Sequence, residues 1–370
     1  MVDAREIFRV LEEYFPLTLA EEWDNVGLQL GSMNCKVSRV LVALDLDGDI
    51  ITAARDGQAE LIITHHPLFF RDTKCINFDT PQGRIIQELL QAGITVYSAH
   101  TNLDAAPAGL NQYLAEELGL RKVRPWQQGQ VEELYKLVVY VPESHLEVVR
   151  SALTAGGAGF IGNYSDCTFR VAGTGTFKPL VGTDPFIGEI GQVEEVAEYR
   201  LETVVPAGQL RAVMKAMLAA HPYEEVAYDL YRLSNRGRVF SPGRIGLLPH
   251  PARLGEVARE VKQRLNLEYV LVVGNEDEVV EKIAVVSGSG ASLISQARQE
   301  GAQVLITGDI KYHEAREAEA MGFNIIDAGH YGTEKGVTEL LKKVLDQEAA
   351  AHGWNLEVLI SDGSSPFKRA

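Results

Sequence analysis

The 370-residue sequence predicts an α/β protein with two related halves and a smaller α+β domain inserted between them. Three observations predict this class. Residues 37–64 align without a gap to residues 280–307, a second pair of similar segments lies between them, and apolar runs alternate with amphipathic runs in both outer parts. Such alternation is typical of a parallel-rich sheet that helices cover on both faces.

Each copy of the outer repeat is interpreted as one strand–helix–strand unit. Strands are expected over residues 39–44 and 282–287, each followed by a loop of Gly, Asp and Ser and then by an amphipathic helix. A second apolar strand ends at Thr64 in the first copy and at Thr307 in the second. Both copies continue with a glycine, a short apolar strand and a cluster of polar residues, which extends the similarity beyond the aligned segments.

A different repeat occupies the middle of the chain. The segment from Tyr135 is similar to the segment from Tyr199, and each predicts a strand, a proline-containing turn and a helix. Further strands are expected near residues 166–175 and 225–232. Two successive strand–helix–strand units form the ferredoxin-like pattern. The expected domains are therefore a first α/β half over 1–126, an inserted ferredoxin-like domain over 127–240 and a second α/β half over 241–370.

Composition excludes several classes of protein. The net charge is −16 and no block of Lys or Arg is present, which argues against a general nucleic-acid binder because such binding depends on phosphate neutralisation. No apolar run approaches the ~20 residues of a membrane span. The first residues are acidic and amphipathic, unlike a signal peptide, so a cytoplasmic location is expected. The three cysteines are far apart and predict neither a disulfide framework nor a cysteine zinc site.

Histidines and carboxylates follow four predicted strands at the points where the strands end. The carboxyl ends of strands in α/β sheets face the crevice where ligands bind. Imidazole together with carboxylate suits Zn, Fe, Mn or Co, and two such ions ~3.5–4 Å apart can clamp a hydroxide and polarise an electrophile. The residues, in chain order, are His65, His66, His100, Asp104, Asp309, His313, Asp327, His330 and Glu334.

Each of these residues also has a purely structural alternative. His65 and His66 would then be a hydrogen-bonded strand end, Asp104 a cap for a helix beginning near Ala108, and Glu334 a carboxylate at the start of a helix. His100 and His313 are the candidate catalytic proton shuttles, with a local structural role as the alternative. The conjunction of these residues, and no single one, predicts the metal site.

A separate motif, HPYEE, begins at His221 between a predicted helix and a predicted strand. It offers a histidine, a tyrosine and two glutamates. We interpret it as a solvated turn.

Five motifs resemble the signatures of the NIF-three-like proteins, also called GTP cyclohydrolase I type 2 homologues. The motifs are EEWDNVGLQLG (21–31), ITHHPLFF (63–70), SAHTNLD (98–104), TGDIKYHEA (307–315) and DAGHYGTE (327–334). The middle segment, with HPYEEVAYD, resembles the extra domain of the longer members, which is similar to the small trimeric PII and CutA proteins.

The resemblance implies a dinuclear metal site with two divalent ions per chain. Its ligands would be His65, His66, Asp104, His330 and Glu334. Glu334 would bridge the ions, Asp104 and His66 would bind one of them, and His65 and His330 would bind the other. Trp23 and Asn25 are expected to line the site from the first motif.

The resemblance also implies an activity and an assembly. The activity is a metal-dependent hydrolysis of a nucleotide-like small molecule, including opening of the GTP imidazole ring by water with loss of formate. The assembly is a toroidal homohexamer. The alternative function is a non-enzymatic regulatory or metal-handling protein with a PII-like sensing domain.

Overall fold

The computed structural model describes residues 1–368 of the chain. These residues form two compact units, one made of Met1–Gln130 together with the chain from Val239 onward, and the other of Val131–Arg238. None of the described helices is long and apolar enough to cross a membrane.

Strands and helices are distributed over both units. In chain order the strands are β1 Val2–Asp3, β2 Gly27–Leu30, β3 Lys36–Val37, β4 Arg39–Ala43, β5 Leu61–Thr64, β6 Thr95–Ser98, β7 Arg121–Pro125, β8 Gln130–Val131, β9 Leu134–Pro142, β10 Thr168–Phe177, β11 Glu194–Pro206, β12 Tyr228–Arg232, β13 Val239–Phe240, β14 Arg244–Arg253, β15 Leu271–Val273, β16 Val279–Ser289, β17 Val304–Gly308, β18 Asn324–Asp327 and β19 Glu357–Ser361. The α-helices are α1 Ala4–Tyr14, α2 Gly48–Asp56, α3 Pro81–Ala92, α4 Thr101–Ala105, α5 Leu110–Glu117, α6 Leu146–Ala155, α7 Leu210–Ala220, α8 Leu254–Arg264, α9 Ile294–Gln299, α10 Tyr312–Ala320, α11 His330–Glu334 and α12 Val337–His352.

The first unit contains a five-stranded sheet in the order β19–β4–β5–β6–β2. Its first four strands are parallel to one another and β2 is antiparallel to β6. Every residue of β5 and β6 is buried, as expected for continuous apolar strands covered on both faces. Apolar side chains of α1 and α12 cover one face, and those of α2 and α3 cover the other.

Local sequence signals explain where the covering helices of this sheet begin. The side chain of Asp47 accepts a hydrogen bond from the Ile50 backbone at the start of α2, and Thr80 caps α3 in the same way through Gly83. Pro81 occupies the first position of α3, where its missing N–H costs nothing. These caps fix the point at which each loop turns into its helix.

The same unit contains a six-stranded sheet in the order β15–β18–β17–β16–β14–β7. Its central strands β16, β17 and β18 are parallel, and the outer pairings are antiparallel. Apolar side chains of α5 and α8 pack on one face, and those of α9 and α10 pack on the other. The mixed α/β class with several sheets is therefore as the sequence predicts.

The two aligned segments of the sequence adopt the same pairing in the two sheets. Val40 of β4 pairs with Leu61 of β5, and at the aligned positions Ile283 of β16 pairs with Val304 of β17. Each sheet also takes one edge strand from the other half of the sequence. β7, from the first expected half, completes the six-stranded sheet, and β19, from the second, completes the five-stranded one.

The unit Val131–Arg238 contains an antiparallel sheet in the order β10–β11–β9–β12, with α6 and α7 packed on one face. Its elements follow one another as strand, helix, strand, strand, helix, strand. The interpretation of HPYEE as a solvated turn is wrong at His221, whose side chain is buried. Its Nε2 donates to the Tyr140 carbonyl at 2.9 Å, and the Tyr223 backbone donates to its Nδ1 at 3.2 Å.

Candidate metal centre

Three strand ends of the two larger sheets bring histidines and carboxylates together. His65 and His66 follow β5 directly, and Asp104 lies in α4 just after β6. His330 and Glu334 are the first and last residues of α11, which follows β18. Their i,i+4 spacing places both side chains on one face of that short helix.

The other four side chains lie around Glu334. Its Oε2 lies 3.0 Å from His330 Nε2 and 3.1 Å from His66 Nε2, and its Oε1 lies 3.8 Å from His65 Nε2. The other close approaches are 3.7 Å between His65 Nε2 and Asp104 Oδ1, and 3.4 Å between the Nε2 atoms of His66 and His330. The structure thus brings together all five residues that the resemblance names, with Glu334 in the middle.

The other ring nitrogen of each of these histidines is already engaged. Nδ1 of His65 donates to the Ala99 carbonyl at 2.8 Å, and Nδ1 of His66 contacts Asp45 at 2.7 Å. Nδ1 of His330 contacts Asp309, also at 2.7 Å. A hydrogen on Nδ1 leaves the Nε2 lone pair facing the cluster, which is the tautomer that a metal-binding histidine requires.

Two polar atoms at the centre of the cluster are buried and make no hydrogen bond. They are His65 Nε2 and Glu334 Oε2, the latter because the Nε2 atoms of His66 and His330, at 3.1 and 3.0 Å, do not meet it with hydrogen-bond geometry. Leaving such an atom without a partner costs roughly 1–3 kcal/mol, and more when the group is charged. Nitrogen lone pairs that face a carboxylate oxygen at these distances need a cation or a proton between them. The donor set of imidazole and carboxylate therefore fits a divalent transition-metal ion, and His66, His330 and Glu334 are close enough to share one.

Protonation equilibria in the cluster reflect the same close packing of charge. Burial opposes the charged form of His66, but contacts with Asp45 and Glu334 outweigh it and raise the pKa to about 10. Contact with Glu334 raises the pKa of His330 to about 9. Burial raises the pKa of Asp104, whereas the three histidines hold the pKa of Glu334 well below its usual range despite burial. Protons here compensate charge that a metal ion would otherwise compensate.

The end of β16 forms one wall of the cluster. The Ser287 hydroxyl donates to Asp104 Oδ1 at 3.2 Å, and the Gly288 backbone donates to Thr333 at 2.9 Å. Gly288 has φ +61°, and a Cβ there would lie 2.1 Å from Glu334 Oε1. Only glycine permits this approach of backbone to carboxylate.

Comparison with known proteins shows which family this chain resembles. Residues 2–366 match the family model described as Duf34/NIF3 (NGG1p interacting factor 3). The chain belongs to this family. It is 44% identical over 349 residues to the GTP cyclohydrolase 1 type 2 homolog of Halalkalibacterium halodurans, covering 93% of this chain and 94% of that protein. It is 42% identical over 369 residues to the Bacillus subtilis protein of the same name, covering 99% and 98%.

A solved structure agrees with this assignment. The crystal structure of a Bacillus cereus protein related to NIF3 superposes with a TM-score of 0.93 at 43% identity, covering 100% of this chain and 99% of that one. The fold of this Duf34/NIF3 chain is therefore that of the family.

The two candidate proton shuttles of this Duf34/NIF3 chain lie in different surroundings. A ring nitrogen of His100 is within 4.8 Å of ring nitrogens of His65 and His66, so His100 lies at the cluster. Its Nδ1 contacts Asp24 at 2.9 Å. His313 is exposed on α10, and its ring contact within residues 1–368 is with its neighbour Tyr312.

The structural alternatives for the two carboxylates are wrong. Asp104 lies inside α4, and the next helix, α5, begins after Gly109 without a side-chain cap. Glu334 ends its helix instead of beginning it. Neither carboxylate therefore begins or caps the helix that the structural alternative assigned to it.

The sequence interpretation missed three residues that organise the centre. Asp24 accepts hydrogen bonds from the Thr101 backbone and hydroxyl as well as contacting His100. Asp45 orients His66, and its position directly after the first repeated strand could have indicated a role. The third, Arg244, is a buried guanidinium on β14 that donates to the Ala106 carbonyl just after α4. Burial lowers its pKa to about 10, with Asp104 opposing that shift.

Proposed function

We propose that the chain is a dinuclear metal-dependent hydrolase acting on a nucleotide-like small molecule. The observation that carries this proposal is the pair of buried atoms without a hydrogen bond, His65 Nε2 and Glu334 Oε2, in the middle of a set of imidazoles and carboxylates. The name of the relatives, GTP cyclohydrolase 1 type 2 homolog, supports a nucleotide-like substrate and the opening of the GTP imidazole ring with formate release.

Distances support one division of the ligands between two ions. His65 lies close to Asp104, and His66 lies close to His330, while Glu334 reaches both pairs through its two oxygens. We therefore assign His65 and Asp104 to one ion and His66 and His330 to the other. This differs from the division that the family resemblance implies, but it keeps Glu334 as the bridge.

The residues of the chain would orient and supply the ligands. When bound, Zn, Fe, Mn or Co would supply an activated water and an electrophile for the bond under attack. Asp45, Asp309 and the Ala99 carbonyl hold the imidazoles with Nε2 inward and raise their basicity. His100 lies beside the cluster, where its ring can move a proton, whereas exposed His313 has weaker support as a shuttle.

Three features of the architecture belong to the same proposal. The equal register of β4–β5 and β16–β17 supports an internal duplication of halves 1–126 and 241–370. The strand order β10–β11–β9–β12 supports a ferredoxin-like, PII-like insertion over 127–240. We also propose a toroidal homohexamer and a cytoplasmic location, both from the family resemblance.

Elemental analysis and turnover assays test the function together. We expect about two transition-metal ions per chain, hydrolysis of at least one member of a nucleotide panel, and loss of both in His65→Ala and Glu334→Gln. The matched control is His352→Ala, which removes a histidine with the same i,i+4 glutamate spacing on α12. Metal without turnover on the whole panel would instead favour a metal-handling or regulatory protein, and absence of metal from the unaltered chain would contradict the proposal.

A further inference from the structure

A cavity of about 810 Å³ lies beside the metal centre in the larger unit. Its walls come from two segments, Glu22–Asn25 and Phe69–Thr73, with Ile76. Sites for small molecules usually measure ~300–1,000 Å³, so the cavity is of a suitable size for one.

Aromatic rings connect this cavity to the cluster. The Trp23 ring meets the His100 ring edge-on at 6.0 Å, and the Phe70 ring does so at 5.6 Å. Phe70 also contacts the His66 ring at 5.9 Å. A molecule held against these two rings therefore lies next to the histidines of the proposed metal site.

Both aromatic side chains are exposed although their backbones are fixed. Trp23 is 62% exposed and Phe70 is 50% exposed. Adjacent residues anchor the two segments, because Asp24 binds Thr101 and the Asn25 amide donates to the Phe69 carbonyl at 3.0 Å. Rigid aromatic faces open to a cavity are suited to stacking on a flat ring, and such stacking tolerates many heterocycles.

The charged residues of the cavity favour an uncharged ligand. Carboxylates of Glu22 and Asp72 line it, against the single guanidinium of Arg71, whereas the Asp24 carboxylate is buried against His100 and Thr101. A chain of phosphates would meet this excess of negative charge, and the overall net charge of −16 adds to the repulsion.

We propose that this cavity binds a planar nitrogen heterocycle without a phosphate chain, a purine base or its nucleoside, stacked on Trp23 and Phe70. The inference rests on the proposed function and narrows its nucleotide-like substrate to a purine nucleoside or base, so the ring opening would act on that molecule instead of on GTP. It assigns recognition of the ring to aromatic stacking and exclusion of polyphosphates to the cavity carboxylates.

Calorimetric titration of the metal-loaded full-length protein with guanosine and with GTP tests the proposal. We expect guanosine to bind at least tenfold more tightly than GTP at low salt, with the ratio narrowing as salt is added. Trp23→Ala and Phe70→Ala should each weaken guanosine binding roughly tenfold while leaving the metal content unchanged. The matched control, Tyr312→Ala, removes an aromatic side chain that is also exposed but lies outside the cavity.

Several results would overturn the inference. A failure of guanosine to show saturable binding, or tighter binding of GTP than of guanosine, contradicts the proposed ligand. Unchanged guanosine affinity in both the folded Trp23→Ala and the folded Phe70→Ala protein contradicts the proposed stacking. Because Phe70→Ala and Trp23→Ala alter separate segments, misfolding of one leaves the other informative. Metal content measured on the same samples separates this inference from the proposed function, since guanosine binding to a protein that retains no metal would contradict only the latter.

Discussion

At the residue scale, the approach of Gly288 to Glu334 sets a steric limit on the centre. A Cβ at position 288 would collide with the carboxylate that lies closest to three histidines. Gly288 also has a positive φ, so a side chain there is unfavourable both because it collides with Glu334 and because it strains the backbone. A second glycine with a positive φ but no close neighbour separates the collision from the strain.

We expect Gly288→Ala to displace Glu334 and lower the affinity for Zn²⁺ at least tenfold. Gly322→Ala is the matched control, because Gly322 has φ +62° and no atom within 4 Å of an added Cβ. It should lose about 1 kcal/mol of folding stability through backbone strain alone and keep its metal affinity. Competition with a chromophoric chelator measures both affinities, and equal losses in the two variants would contradict the steric explanation.

The second prediction at this scale concerns Asp309, which orients the His330 imidazole. It has φ +58° and its carboxylate contacts His330 Nδ1. Asparagine tolerates this backbone conformation, so Asp309→Asn should fold normally while losing the charge that orients the imidazole. We expect Zn²⁺ affinity to fall roughly 10- to 100-fold, as for other partners of metal-binding histidines.

The control for Asp309 is Asp277→Asn, which alters a strongly exposed carboxylate paired with Arg253. Chelator competition should show no change in that variant. An Asp309→Asn protein with unaltered affinity would mean that the His330 orientation does not depend on the carboxylate.

The candidate ligands could be predicted from the sequence, but their supporting residues could not. His65, His66 and Asp104 follow apolar runs whose ends mark strand ends, and parallel strands bring such ends to one edge. Asp24 lies 76 residues before His100, in a loop without periodicity, so its contact with that histidine arises from tertiary packing alone. Nothing local in the sequence encodes such a contact.

At the element scale, repeated strands and helices were predictable and edge strands were not. The continuous apolar runs of β4, β5, β16 and β17 identify central strands by composition. β7, with its sequence RKVRP, has no such pattern, yet it pairs with β14 at the edge of the six-stranded sheet. An edge strand buries little apolar surface. Its pairing partner therefore depends on the surrounding fold more than on the composition of the strand itself.

His221, the first residue of the loop between α7 and β12, makes part of the folding stability depend on pH. Burial lowers the pKa of His221 below its ordinary value, and the ring is held in a neutral form between Tyr140 and Tyr223. Below a pH of about 6.5 the unfolded chain therefore binds more protons at this residue than the folded chain does. Its contribution to folding stability is complete above that pH and is lost as the pH falls.

We expect His221→Gln to remove this part of the pH dependence. Glutamine keeps a donor for the Tyr140 carbonyl but does not titrate. Thermal unfolding of both proteins between pH 5 and pH 8 should give a difference in Tm that favours the unaltered protein at pH 8 and shrinks as the pH falls. His352→Gln, at an exposed position, is the control, and a pH-independent difference for His221→Gln would contradict the assignment.

At the scale of the whole molecule, contacts between the two larger sheets hold the centre together. Arg244 is the clearest of them, because it lies on β14 of the six-stranded sheet and donates to Ala106 next to α4, which carries Asp104. It also donates to the Ser241 and Gly243 carbonyls, so its buried charge is distributed over three acceptors.

We expect Arg244→Lys to reduce the free energy of unfolding by about 2–4 kcal/mol, because lysine keeps the charge but cannot reach all three carbonyls. Arg259→Lys, on the exposed side of α8, should change it by less than about 0.5 kcal/mol. Urea denaturation followed by tryptophan fluorescence, to which the buried Trp126 contributes, measures both variants. A small effect for Arg244→Lys would mean that other contacts fix α4.

The convergence of the two sheets on a pair of metal ions is tested most directly by anomalous X-ray diffraction from crystals of the metal-loaded protein. We predict two anomalous peaks per chain, one between His65 and Asp104 and one between His66 and His330, with Glu334 contacting both. Peaks outside this cluster, or no peak within it at saturating metal, would contradict the proposed centre.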